Sequence, residues 1–347
     1  MITALADIRR GLVALVAGIL AVSVSPAAAQ LSTPIVTESY LIPSGDPGIQ
    51  LYVRNKRPGA MTTFRADRTV LYVHGTTQAS ETTFDLALDG KSWMDHIAEQ
   101  GWDVWLMDVR GFGGSTKPPE MDRPAADSPP IAPAVVAMRD VRVAVEHILG
   151  KRGLSRISLI GWSRGANLVG WYASENPDKV HRLVLYAPSW ISSPSPAAAP
   201  SAPIPAYQTW TMEQAGRLQA GVPPEKQGAL LPSAWRDAWW AATLATDPVG
   251  AAQTPPVVRS PAHQDGRDYW NAGKPLYDPA RITAPTLIVT AEWDGLNPPA
   301  LGRAIFTKLT RVPGKRLVEI GEASHFVMLE RNRPHLFREV QLFLDEP

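Results

Sequence analysis

The chain has 347 residues, 34 Lys and Arg against 33 Asp and Glu for a formal charge of +1, 45% hydrophobic residues and no Cys. That length fits one large domain or one with an inserted subdomain, and the balanced charge argues against a duplex nucleic-acid binder, which needs a basic footprint. Without Cys, disulfide frameworks, thiol catalysis, Cys-ligated zinc and iron–sulfur clusters are excluded.

At the start, Arg9 and Arg10 precede an apolar run over residues 11–24, and Ala27, Ala28 and Ala29 follow Pro26. A basic region, a short apolar core and a small-residue site are the pattern of a secretory leader cut after Ala29. The run falls short of the roughly 20 apolar residues that span a bilayer. Residues 1–29 are therefore expected to be a signal peptide and the remainder a periplasmic or secreted protein with no stable membrane insertion.

Two extended runs, 36–42 and 49–54, flank Ser44-Gly45-Asp46-Pro47-Gly48 and predict an antiparallel hairpin. Strands and helices then alternate: strand 69–74, strand 102–108, helix 134–149, strand 157–160, helix 166–174 and strand 183–186. After a long interval come strand 286–290, helix 299–309, strand 316–320 and helix 334–344. Continuous apolar strands between helices imply an α/β fold, a mostly parallel sheet covered on both faces. The interval of about 95 residues is too long for a structureless loop. It opens on a Pro/Ala/Ser stretch, 192–205, and continues with helical patterns at 207–220 and 233–246. We expect it to form a helical cap over residues 191–281, inserted between core segments 30–190 and 282–347.

The chemistry centres on Gly161-Trp162-Ser163-Arg164-Gly165, which follows a strand and opens a helix. In that context the pattern places a Ser on a tight turn at the carboxyl edge of the sheet, by a helix N-terminus that favours a developing oxyanion. A Ser nucleophile needs a base, and the base needs an orienting acid. His325 lies in a loop just after a late strand. Asp294, followed by Gly295 and Pro298, lies in a turn after the strand before it, with Glu292 as local competitor. The expected triad is Ser163, Asp294 and His325, and the rate is expected to fall in acid as His325 is protonated.

These marks resemble the α/β-hydrolase superfamily, as do His74-Gly75-Thr76-Thr77 after one strand and the run from Asp108 to Ser115 after the next. The likeness covers nearly all of the chain apart from the cap. It implies an oxyanion hole formed by the N–H of Arg164 and that of Thr76, with Thr77 as the alternative, and a structural turn at 108–115 pinned by Arg110. A Ser nucleophile sets aside the members that need a carboxylate there. The resemblance thus implies a serine hydrolase using no metal or cofactor. Among esterases, lipases, perhydrolases and aminopeptidases of this type we expect an esterase acting on a small-molecule or oligomeric ester, with no nucleic-acid partner. Lactonases and carbon–carbon bond hydrolases of the β-diketone type use the same triad, and a ligand-binding protein on the same fold is the non-enzymatic alternative.

Arg164 departs from the family's more usual uncharged residue. It could bind an anionic substrate group or tie down a neighbouring loop. Trp162, Trp190 and Trp293 lie at catalytic strand ends or beside triad residues, and Trp235 and Trp239 lie in the expected cap. With Thr77 they are the candidate lining of an aromatic, apolar groove suited to aromatic, cyclic or long-chain acyl groups.

Overall fold

The computed structural model describes residues 34–191, 203–215, 219–262 and 264–347. The expected leader and most of the Pro-rich stretch lie outside these. Among the described residues no helix is long and apolar enough to cross a membrane, and no group of three His, Cys, Asp or Glu could hold a metal ion.

Strands β1 (Ile35–Pro43) and β2 (Gln50–Pro58) form the expected hairpin, followed by β3 (Thr69–Val73), α1 (Ser80–Thr83), α2 (Trp93–Glu99), β4 (Asp103–Met107), α3 (Ala134–Arg152), β5 (Ile157–Trp162), α4 (Arg164–Glu175) and β6 (Val180–Tyr186). The long connection carries β7 (Tyr207–Trp210), α5 (Met212–Ala215), α6 (Pro224–Leu230), α7 (Ser233–Ala245), α8 (Pro248–Ala251), β8 (Val258–Pro261) and α9 (Asp265–Asp268). The chain ends with β9 (Thr286–Ala291), α10 (Pro299–Lys308), β10 (Lys315–Ile320) and α11 (Arg333–Leu344).

Eight strands form one sheet in the order β1-β2-β4-β3-β5-β6-β9-β10. β2 runs antiparallel to both neighbours, and β3, β4, β5, β6, β9 and β10 are mutually parallel. Alternation of side chains along the strands sorts the core into two layers. Leu71, Val73, Trp105, Leu159 and Leu185 face α3 and α4 on one side. Val70, Tyr72, Leu106, Ile160 and Tyr186 face α2 and α11 on the other. All ten are fully buried, which is why these strands read as continuous apolar runs.

From β3 the chain winds outward to β4 and then returns to the opposite side at β5. Loops leaving the carboxyl ends of β3 and β5 therefore diverge and open a crevice, the usual place for a site in an open α/β sheet.

In the long connection residues 207–210 are not helical as expected but pair antiparallel with Val258–Pro261. Tyr-Gln-Thr-Trp suits a pleated ribbon, and its partner lies about 50 residues away, outside any window in which helical spacing is read.

Candidate active site

Ser163 immediately precedes α4 with φ 55° and ψ −121°, a backbone conformation that costs an L-residue about 1–3 kcal/mol. The flanking glycines make the turn possible. A Cβ on Gly161 would stand 2.4 Å from the Gly165 carbonyl oxygen, and one on Gly165 would stand 2.2 Å from that of Val73. Strand β5, helix α4 and the end of β3 thus touch backbone to backbone. The turn is held by Ser163 N–H donating to Tyr186 O at 2.8 Å and Ala166 N–H donating to Ser163 O at 3.0 Å.

The turn after β9 aims Asp294 inward. Its Oδ1 accepts from the N–H groups of Leu296 (2.9 Å) and Asn297 (2.7 Å), and its Oδ2 lies 2.7 Å from His325 Nδ1. Glu292, the local competitor, is turned away and accepts from Glu322 N–H at 2.8 Å. His325 is fixed at its backbone as well. Its carbonyl accepts from Trp162 Nε1 (3.1 Å) and from the Tyr186 hydroxyl (3.0 Å). Beside it, buried Glu330 accepts from both the N–H and the hydroxyl of Ser324, although burial pushes the Glu330 carboxyl above its usual range. Trp162 is therefore a strut for the His325 loop as well as a wall, its ring 5.3 Å from the imidazole.

Ser163 and His325 open onto one cavity of about 180 Å³, bordered also by Thr76, Thr77 and Arg164. The loop after β3 is braced by His74. Burial drives the His74 pKa down to about 3, so the ring is neutral, and its partners fix the tautomer. Nδ1–H donates to Gly75 O at 2.7 Å, and Nε2 accepts from Val109 N–H at 3.0 Å. On the next turn, Asp108 accepts from Ser80 N–H (2.8 Å) and Gly114 N–H (3.0 Å). Arg110 grips Asp140 and Asp46, each at 2.6 Å, so this turn joins the β1–β2 loop to α3 and stands outside the cavity.

The Arg164 side chain takes the structural of its two readings. It is 3% exposed, with Nε donating to Asp265 Oδ2 at 2.6 Å and an Nη donating to Ala132 O at 2.7 Å. Asp265 Oδ1 in turn accepts from Ala134 N–H at the start of α3, 2.9 Å away. One buried ion pair joins the residue after Ser163 to α9, the turn that leads to Trp270. Asp265→Ala would strip the counter-ion from a buried guanidinium, so unfolding stability is expected to drop by about 3–5 kcal/mol. Urea titration would measure this, and a loss below about 1 kcal/mol, the range of an exposed pair, would refute the burial argument.

Four of the expected groove aromatics lie elsewhere. Trp190 is buried edge-on against Tyr277, 5.4 Å between rings. Trp235 donates to Asp89 at 3.3 Å and lies under the Arg333 guanidinium. Trp239 packs behind Phe326 at 6.1 Å. Trp293, half-buried, is anchored by its backbone N–H, which donates to Ala323 O at 2.9 Å. The cavity wall is built by Trp162, Trp270, Leu296 and Phe326, with Gln78, Ser189 and Asn297 as polar neighbours. Phe326 and Asn297 were within reach of sequence reasoning because they adjoin triad candidates; Trp270 and Gln78 carried no such signal.

A family model described as the alpha/beta hydrolase fold matches residues 68–332. No curated protein matches the sequence. Solved structures with similar folds include a serine hydrolase involved in carbazole degradation, at 17% identity and TM-score 0.56, covering 89% of this chain and 99% of the other. A hydrolase from Pseudomonas aeruginosa superposes with 20% identity and TM-score 0.57 over 89% of this chain and 99% of its own. A thermophilic esterase from Thermogutta terrifontis does so with 20% identity and TM-score 0.56 over 88% and 98%. At such identities the likeness speaks for the fold. Because the family model spans most of the sequence, from the start of β3 to the edge of α11, this chain belongs to the alpha/beta hydrolase family.

Proposed function

We propose that this hydrolase is a serine-dependent carboxylic-ester hydrolase for short acyl groups. The observation that carries the reading is the bond of 2.7 Å between His325 Nδ1 and Asp294 Oδ2, with Ser163 held on its strained turn at the same cavity as His325. An imidazole whose Nδ1–H is committed to a carboxylate presents Nε2 as a base. His325 takes the Ser163 proton as Oγ adds to the ester carbonyl. The N–H groups of Arg164 and Thr76 receive the negative charge on the oxygen, each such donor being worth about 2.7–4 kcal/mol. His325 then protonates the departing alcohol, and water, activated the same way, releases the acid from Ser163.

Size argues for short acyl groups. A closed cavity of about 150 Å³ holds benzene, and this pocket, at about 180 Å³ and partly open to solvent, shelters little more. Its walls mix Trp270, Leu296 and Phe326 with Thr76, Thr77 and Gln78, a poorer match to a long alkyl chain than the apolar groove expected from sequence. With p-nitrophenyl acetate, butyrate and octanoate, kcat/KM for the two shorter esters should exceed that for octanoate by about tenfold or more. A preference for octanoate would sink the size argument.

A further inference from the structure

Gln78 lies three residues beyond Gly75 on the loop that carries Thr76, and it lines the cavity with Ser163 and His325. It is 2% exposed, and its Oε1 is buried with no hydrogen-bond partner. A buried amide oxygen left bare is destabilising, and native structures keep few of them without a functional reason. The loop gives the side chain little freedom to escape. Thr77 O accepts from Ser260 Oγ of β8 at 2.8 Å, and His74 grips the Gly75 carbonyl at 2.7 Å.

The other strongly polar cavity groups are already committed. Asn297 donates to Ala187 O at 2.8 Å and accepts from Ser189 Oγ at 3.2 Å. Arg164 is bound to Asp265 and Ala132 O. At Gln78 the buried atom left without a partner is the acceptor Oε1, and what satisfies an acceptor is an O–H or N–H. A hydroxyl within a few bonds of the scissile carbonyl is the smallest group that does so and suits a cavity of about 180 Å³.

We propose that Gln78 is a specificity-determining residue whose carboxamide oxygen accepts a hydrogen bond from the substrate, and that the substrates are short esters bearing a hydroxyl. This rests on the ester hydrolysis proposed above. The test measures kcat/KM of the wild-type protein and Gln78→Met on two matched pairs, with Ser163→Ala as blank. Methyl 3-hydroxybutyrate against methyl butyrate places the hydroxyl on the acyl side; 2-hydroxyethyl butyrate against ethyl butyrate places it on the alcohol side. The wild type should favour the hydroxylated member of at least one pair by about 10- to 100-fold, and Gln78→Met should bring that ratio close to one. Both rates of a pair come from one preparation, so partial unfolding of the variant cancels. No preference in the wild type, or a preference that survives in Gln78→Met, overturns the assignment and leaves ester hydrolysis standing. No Ser163-dependent turnover of any of the four esters overturns both.

Discussion

Ser163→Ala is expected to lower the hydrolysis of p-nitrophenyl butyrate by at least about 10⁴-fold in kcat, since loss of a nucleophile removes the acyl-enzyme route whole. The variant should fold as the parent does. The bonds that hold the turn run through the backbone of residue 163 to Tyr186 O and from Ala166, and alanine meets the same φ of 55° with a side chain no larger than serine's. Rates from purified protein, with a thermal melt to show that both proteins are folded, decide the matter. A folded variant within tenfold of the parent would mean that hydrolysis proceeds without Ser163.

Asp294→Asn is expected to lower kcat by a factor on the order of 10⁴, through the direction of one hydrogen bond. The Oδ1 atom that accepts from Leu296 and Asn297 N–H groups has a counterpart in asparagine, so the turn survives. Its amide nitrogen then falls where Oδ2 now stands, 2.7 Å from His325 Nδ1. Donor would face donor, and the ring relieves this by moving its proton to Nε2, the atom that must accept the proton of Ser163. Glu292→Gln, altering a carboxylate that accepts from Glu322 N–H rather than from His325, should change the rate by no more than a few-fold. Equal losses in the two variants would reassign the orienting acid.

Much of this site was legible in sequence because its parts are local. The glycines at 161 and 165 are dictated by atoms within one turn and by the neighbouring strand, so a pentapeptide between a strand and a helix announces them. Asp294 sits just after the plain apolar run of β9, and His325 lies in the loop that follows β10. What stayed hidden depends on distant segments meeting. The partner of Arg164 is 101 residues away. The ribbon at Tyr207–Trp210 exists because Val258–Pro261 lies beside it. Trp235 and Trp239 at helical spacing did mark a real helix, but spacing says which residues share a face and leaves open what that face meets. Trp270, with no pattern around it, joins Trp162 and Phe326 in the wall.

The tie between Arg164 and Asp265 also bears on building hybrids of this fold. A chimera that kept this β6–β9 connection but took its nucleophile turn from a relative with an uncharged residue after the serine would bury the Asp265 carboxylate without its guanidinium. The reciprocal chimera would bury the guanidinium without its carboxylate. The two positions behave as a single cassette, so recombination breakpoints between residues 164 and 265 are tolerable only when both ends come from the same parent.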